Sequence, residues 1–420
     1  MLRENFNKFV KSGFLRSSLL VSFSKVISSL SNLVFMVYAV NILSRTENGY
    51  LQYYMGFLPV VLAIAELGIP SAIVKYLSPI TDDLRQIGNL MQATLFIKLG
   101  SFVVLLIIAA LSNIFFGMDM MVSYILILGG TISSFITFFE SIIISHRNYI
   151  KLAIWNPLGN IMKLLLLYFI NTNYQGYLSY VDILAIFSFS PILIIGIFFF
   201  LTSEIPIRWS GEYVDVMQRL KELSFFNLWA FMASIFAILS DRMELFFLKT
   251  FKNPESVAIY GTTLQLFSGF VIIFSTFTSL VLPRLSVANE QREFNRLLGK
   301  SILGGFLLAV LLLPGYFLAE PILTFLFQNK YSESIPVFKL LYPNYLLQLL
   351  FAPLGIALFA MGKPKILAML AFIRLVSGVL LDLYLIPEYG VSGAGIAFFL
   401  GQIISWLVLL GYFWATLWKD

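Results

Sequence analysis

Cysteine is absent from all 420 residues, which excludes disulfides, thiol nucleophiles and cysteine-ligated metals. Histidine occurs once, at His146, so no site needing two imidazoles can form. Charge is scarce. Asp, Glu, Lys and Arg make up 12% of the chain, against about 25% in soluble proteins. That excludes a water-soluble multidomain protein. The net charge of +6 does not signal nucleic acid. The basic residues stand singly between apolar runs rather than in one solvated patch. No cleavable signal peptide is expected, because the first apolar run is too long and lacks a small-residue cleavage site.

What the sequence has is apolar length, with 59% hydrophobic residues. A membrane-spanning helix needs about 20 mostly apolar residues. Twelve such runs are read: 19–43, 50–73, 87–111, 122–145, 150–170, 181–201, 223–248, 259–282, 302–319, 337–361, 366–386 and 391–414. Helices are the natural choice, since each satisfies its own backbone hydrogen bonds in lipid. The fold expected is therefore an all-α integral membrane protein.

Loop charges orient the spans. Eighteen Lys and Arg residues, Arg16, Lys75, Arg85 and Lys151 among them, fall at one set of helix ends, and only Arg45, Lys249, Lys252 and Lys330 at the other. The basic side is the cytoplasmic one, so both termini are expected inside. All loops are short, so any activity must reside within the helices.

The chain reads as a duplication. Asn48-Gly49-Tyr50 opens the second span as Ile259-Tyr260-Gly261 opens the eighth. The inner turn Ser145–Lys151 has its counterpart in Ala360–Ile366. Each match is loose, but they occur in the same order at a similar offset. The expected organisation is two six-helix lobes, 1–203 and 223–420, joined by a cytoplasmic linker, 204–222. The two are related as a parallel repeat around a central cavity suited to alternating access.

Six basic residues fall inside spans. Lys339 lies close enough to a helix end to snorkel. Lys25, Lys98, Lys163, Arg242 and Arg374 sit deeper, and each facing lipid at mid-membrane would cost at least about 2.5–3.5 kcal/mol. They are expected to face the interior, either as structural ties or as a cationic cavity for a phosphate-bearing substrate. Glu66, Asp241 and Glu244 are the acids at depth, with Glu140 nearer the inner surface. Lys25 and Glu66 both lie roughly 13 Å from that surface at 1.5 Å per residue, so they could pair. Asp241 and Arg242 are neighbours that point about 100° apart and need not pair. Lys98 and Lys163 have no obvious acidic partner. Glu66 precedes Pro70, and Pro157, Pro191, Pro283, Pro314 and Pro353 also fall in spans, so bends are expected.

Other chemistry is set aside. Gly299-Lys300-Ser301 matches the end of a phosphate-binding loop, but Phe294 stands where its first glycine should be and no strand precedes it. No Gly-x-Ser-x-Gly elbow occurs. Asp82-Asp83 has no further metal ligands nearby, and His146 reads as a solvated loop residue.

Ile42–Tyr50, Ala65–Ala72 and Tyr76-Leu77-Ser78 together resemble the opening of Wzx-type O-antigen flippases. These are polysaccharide exporters of the multidrug/oligosaccharidyl-lipid/polysaccharide (MOP) superfamily. Asp241-Arg242 with Val257–Gly261, and Gly362–Lys365, resemble the matching stretches of helices seven to eight and ten to eleven. The resemblance implies twelve helices in two lobes in a bacterial inner membrane. It also implies a polyprenyl-diphosphate-linked oligosaccharide as cargo, with membrane lipids and the polysaccharide polymerase machinery as candidate partners. Lys25 and Arg242 fall where family cavities carry basic residues. No cofactor is implied. Coupling to an H+ or Na+ gradient is inferred for the family, with Glu66 and Asp241 the candidate coupling or ion-pairing acids.

Three other readings compete. A drug/cation antiporter of the same superfamily should carry an acidic first helix, where this chain has Lys25. A membrane enzyme of polysaccharide assembly needs a large outer loop. A major-facilitator sugar symporter needs a glycine- and arginine-rich second inner loop, which Ser78–Arg85 is not.

Overall fold

The computed structural model describes residues 13–201, 216–217 and 228–417, apart from 79, 81–82, 117, 147, 175–176 and 287–289. All regular structure among them is helical. In the first half, α1 is Gly13–Ile42, α2 Arg45–Glu66, α3 Ile69–Leu77, α4 Leu84–Phe116 and α5 Met120–Ser145. Then come α6 Tyr149–Asn173, α7 Tyr180–Phe189 and α8 Pro191–Leu201. In the second half, α9 is Leu228–Ser240, α10 Met243–Phe251, α11 Pro254–Leu266 and α12 Ser268–Ser286. They are followed by α13 Gln291–Leu312, a 3-10 turn Leu313–Tyr316, α14 Ala319–Phe327 and α15 Ser334–Ala360. The last helical stretch, Pro364–Leu417, is continuous except at Gly390 (φ 59°, ψ −130°).

Fifty-four residues of helix would run about 80 Å at 1.5 Å per residue, far beyond a bilayer. The stretch instead folds back at Gly390, a backbone geometry that only glycine adopts cheaply. A Cβ on Gly401 would lie 3.5 Å from Gly378 Cα, and Ser405 Oγ donates to the carbonyl of Leu370. Two antiparallel helices result, α16 (364–389) and α17 (391–417), matching the spans read at 366–386 and 391–414. Among the described residues nine helical segments are long and apolar enough to cross a membrane, with α16–α17 counted once. The chain is thus a multi-pass membrane protein.

Several spans read as single helices are broken. The second breaks at Leu67 (φ 45°) and Gly68 (φ 74°), with Pro70 in the first turn of α3. Proline suits that position because its missing N–H needs no partner there. The bend therefore lies before the proline. The sixth breaks at Ser190, where Pro191 opens α8, the seventh at Asp241-Arg242 and the eighth at Phe267. Pro157, Pro283 and Pro353 instead lie within continuous α6, α12 and α15. The span read at 302–319 ends early, with Pro314 in the 3-10 turn after α13, and the loop read after it holds most of α14.

The chain packs as two compact units. One comprises the described residues of Met1–Phe35 and Leu58–Leu228; its core joins Ile73 and Leu77 of α3, Leu90 and Ala93 of α4, Phe139 and Ile142 of α5 and Trp155 of α6. The other comprises Met36–Phe57 and the described residues of Trp229–Asp420. Its main core gathers Val40, Leu248, Tyr260, Phe327, Leu341 and Leu349, and a second cluster joins Phe277, Leu285, Leu298, Leu358, Leu370 and Leu409.

Some side chains considered for chemistry are used locally. Asp83 caps α4, accepting from the Arg85 and Gln86 amides at 3.1 Å and from Gln86 Nε2 at 2.8 Å. Those bonds, the Gln86 amide first, hold its carboxyl below the usual carboxylate range. Gly299-Lys300-Ser301 lies within α13, with Ser301 Oγ bonded to the Leu297 carbonyl. The His146 ring sits 2.9 Å from the Ile142 carbonyl at the end of α5. Asp82 lies outside the described residues.

Candidate functional site

In the first unit, α5 presents Ser134, Thr137 and Glu140 three residues apart, a spacing that places them along one helix face. Lys98 of α4 donates to the Ser134 carbonyl at 2.8 Å and to Ser134 Oγ at 3.0 Å. Its ammonium also lies 5.0 Å from the centre of the Phe135 ring, a favourable cation–π distance. Glu66, the last residue of α2, lies near Thr137 and in the field of Lys98, while the Thr137 hydroxyl donates to the Ser134 carbonyl at 3.0 Å. Glu140 lies in the field of Lys25, which is exposed. Among the described residues no ion pair joins Lys25 to Glu66; the charge of Lys98 acts on Glu66 and that of Lys25 on Glu140 without direct contact. The break at Leu67-Gly68 ends α2 at Glu66, and Ser101, one turn after Lys98 on α4, donates to the Ala65 carbonyl at 3.4 Å.

Lys163 belongs to a different seam. Its ammonium donates to Asn32 Oδ1 at 2.7 Å and sits 3.8 Å from the Phe187 ring centre and 5.2 Å from that of Phe35. Ser24 Oγ donates to the Ala153 carbonyl at 2.6 Å and Asn160 Nδ2 to Ser28 Oγ at 2.7 Å. Residues 24, 28 and 32 stand one turn apart on α1, so a polar stripe joins α1 to α6 with Lys163 along it. Lys98 and Lys163 are only 3% and 6% exposed, and in this state both are satisfied by protein groups.

In the second unit the α9–α10 break puts Asp241 at one helix end and Arg242 at the start of the next. Asp241 Oδ1 pairs with Arg374 Nη2 at 2.7 Å, so its partner comes from α16 rather than from its neighbour. Arg374 also packs 5.1 Å from the Phe398 ring centre on α17. Arg242 is partly exposed, and no ion pair is seen for it among the described residues. Glu244, in the first turn of α10, is buried and lies in the fields of Asp382, Arg374 and Asp241. Both carboxylate oxygens of Asp382, Oε2 of Glu244 and the hydroxyl of Tyr260 are buried without a protein hydrogen bond. Asp382 was missed by the sequence reading. Its signal was plain, an acid within the apolar run Leu380-Leu381-Asp382-Leu383.

Interrupted apolar helices with ionisable residues at their breaks are the usual build of membrane carriers. The chain is 16% identical to the lipid II flippase MurJ in its inward closed conformation, over 95% of this chain and 87% of that one, with a TM-score of 0.67. It matches an inward-facing multidrug resistance MATE family transporter of the MOP superfamily at 14% identity, over 92% and 93%, with a TM-score of 0.65. A MOP superfamily transporter from Pyrococcus furiosus, described as having a reversed binding-pocket polarity, matches at 16% over 95% and 94%, also with a TM-score of 0.65. The fold is that of the MOP exporters.

The chain belongs to the polysaccharide biosynthesis protein family, whose model matches residues 14–288. It is 26% identical over 205 residues to a putative O-antigen transporter of Shigella flexneri. That alignment takes in 48% of this chain and 49% of the relative, so it spans about half the length of the curated protein.

Proposed function

We propose that this protein flips an anionic polyprenyl-diphosphate-linked oligosaccharide across a bacterial inner membrane. The cargo would be an O-antigen or related surface-polysaccharide repeat unit, moved from the cytoplasmic to the periplasmic leaflet. The observation that carries the reading is five cations kept on apolar helices in a member of a polysaccharide biosynthesis family. Charges at such depth are expensive and are retained for a purpose. Lys25 and Arg242, the more accessible of the five, would meet the diphosphate first. Arg374 would join when phosphate oxygens replace Asp241, since a guanidinium suits both groups. No bond is broken in this scheme. The two six-helix lobes, 1–203 and 223–420, would alternate access, with both termini cytoplasmic.

Gradient coupling would use Glu244 and Asp382 together with the Asp241–Arg374 pair. Two neighbouring carboxyl groups away from water repel when both are charged, so such a site suits a shared proton or a small monovalent cation. Glu66 in the first unit is the other candidate.

The test is leaflet translocation by the purified protein in liposomes, using a labelled polyprenyl-diphosphate saccharide. Transport should occur, and Lys25→Ala and Arg242→Ala should each slow it several-fold. Unchanged rates in both variants and in their double would remove these cations from substrate binding. An uncharged polyprenol-linked analogue flipped equally well would overturn the headgroup reading. Orientation has its own check. Reporters fused at Met118 and at Gly176, the latter outside the described residues, should report the periplasmic side, and a cytoplasmic signal at either would reverse the assignment.

A further inference from the structure

Helix α13 carries two kinds of side chain on one face. Arg292, Arg296 and Lys300 stand one turn apart in its first half, and Leu303, Leu307 and Leu311 in its second. At 3.6 residues per turn these six fall within about 100° of arc. The buried residues Phe294, Leu298 and Gly305 lie on the opposite side, so the packing of α13 fixes which way the face points. All six are exposed, the leucines at 56%, 58% and 72%. Leucines so uncovered on a membrane helix meet acyl chains, which are equally apolar.

The spacing agrees with a bilayer. From Arg296 to Lys300 the helix rises about 6 Å at 1.5 Å per residue. A bilayer is about 40–45 Å thick with its headgroups and about 30 Å without, so one headgroup layer is roughly 5–8 Å deep. Leu303 to Leu311 rises about 12 Å, most of the roughly 15 Å depth of one leaflet's hydrocarbon. The face therefore offers cations to a headgroup layer and a leucine row to the chains beneath it.

The cations are available. Among the described residues no hydrogen bond or ion pair is seen for the side chains of Arg292, Arg296 and Lys300. Other basic side chains at helix ends are engaged. Lys363 donates to Tyr412 Oη at 2.9 Å, Lys252 donates to the Pro387 carbonyl at 2.8 Å, and Lys365 lies 5.5 Å from the Trp229 ring centre. Glu290 and Glu293 stand at the start of α13, and neither forms an ion pair with the stripe. Arg284 adds positive charge at the same end of the unit, since its neighbour Leu285 shares a core cluster with Phe294 and Leu298. Gly299 lies on the open face, one turn from both Arg296 and Leu303. No side chain and no other element lies within 4 Å of where its Cβ would stand. Gly299-Lys300-Ser301, which forms no nucleotide loop, thus falls within the stripe.

A ligand for this face must carry an anion and, continuous with it, an apolar chain. Guanidinium and ammonium groups suit phosphate oxygens. A nucleic acid or an acidic protein would meet the cations but not the leucines. Each cation near an anionic membrane surface raises occupancy roughly fivefold, so three together act roughly a hundredfold. That selects an anionic lipid from a mixed leaflet without an enclosing pocket.

We infer that this face of α13 holds an anionic phospholipid, its phosphate against Arg292, Arg296 and Lys300 and an acyl chain along Leu303, Leu307 and Leu311. The inference needs only that α13 crosses the membrane, and it stands whether or not the protein flips a saccharide. The test is native mass spectrometry of the full chain in mild non-ionic detergent, titrated with phosphatidylglycerol or with phosphatidylcholine of the same chains. Phosphatidylglycerol should be retained at concentrations at least roughly tenfold below those phosphatidylcholine needs. Raising the salt should weaken that preference in the unaltered protein, because exposed charges are screened. Arg292→Gln/Arg296→Gln/Lys300→Gln should remove it, and Arg292→Lys/Arg296→Lys/Lys300→Arg should keep it. Since all three positions are exposed, the glutamine variant should unfold at the same temperature as the unaltered protein in detergent alone, and phosphatidylglycerol should raise only the latter. Equal retention of the two lipids, a preference indifferent to salt, or an undiminished preference in the glutamine variant would each overturn the inference. So would rejection of phosphatidylglycerol with uptake of polyprenyl diphosphate through the same cations, which would make the face a docking place for the cargo's carrier.

Discussion

Gly49→Leu is expected to abolish surface-polysaccharide export and to lower markedly the unfolding temperature of the purified protein. A Cβ at this position would fall inside the peptide group of Pro254. Backbone cannot swing aside as a side chain can. Overpacking a well-packed interior costs typically about 1–3 kcal/mol, and leucine adds three more carbons to the clash. Helix α2 then either fails to seat or forces α11 out of place. Gly261 offers the internal comparison. Its added Cβ would meet Gln52 Cβ at 2.6 Å, a milder overlap than that with the Pro254 carbonyl oxygen at Gly49, although no rotamer of Gln52 moves its Cβ. Gly261→Ala should therefore cost less than Gly49→Ala in a thermal unfolding series in one detergent. Equal shifts would show that the two glycines are packed equally tightly, and an unshifted Gly49→Leu would refute the close packing itself.

Lys98→Met is expected to be the most damaging single change in the first unit. Lys98 is buried and gives two charge-assisted hydrogen bonds to Ser134, each a contact worth about 1.5–3 kcal/mol. Ser134 would lose its donor, and half-buried Glu66 would lose the favourable field of the Lys98 charge. The amount of folded protein in the membrane should fall. Glu66→Gln added to Lys98→Met removes both charges, so part of the lost protein should return. Such a cycle separates the pair from its members. Export then decides the role of the pair. Recovery of protein without recovery of export makes the charges part of transport. Recovery of both makes the pair a structural tie. If the double variant accumulates no better than Lys98→Met alone, the two residues do not interact.

These expectations show how much was legible in the sequence. Apolar runs of bilayer length dictated helices, because lipid offers no partner for an unpaired backbone group. The resemblance through Ile42–Tyr50 and Ala65–Ala72 pointed to the polysaccharide exporters, and the match over residues 14–288 bears that out. The two glycine motifs that signalled duplication are the ones that meet where α2 packs on α11, Gly49 at Pro254 and Gly261 at Gln52. The turn at Gly390 was legible as well, since two spans of normal length stood on either side of it.

Partnership was not legible. Depth along a helix follows from counting residues, but the direction in which a side chain faces depends on how neighbouring helices are rotated and broken. Counting matched Lys25 with Glu66, whereas no ion pair joins them among the described residues, and Glu66 feels the charge of Lys98 and Glu140 that of Lys25. Asp241 stands beside Arg242 in the chain but pairs with Arg374, more than a hundred residues away. Sequence alone determined that the chain is an all-helical membrane protein carrying costly internal charge, because hydrophobic length and composition are one-dimensional properties. Only the tertiary structure decided which charges are tied, which carboxyl groups stand unpartnered, and where residues 36–57 pack. Those outcomes depend on distances of a few ångströms between helices far apart in sequence.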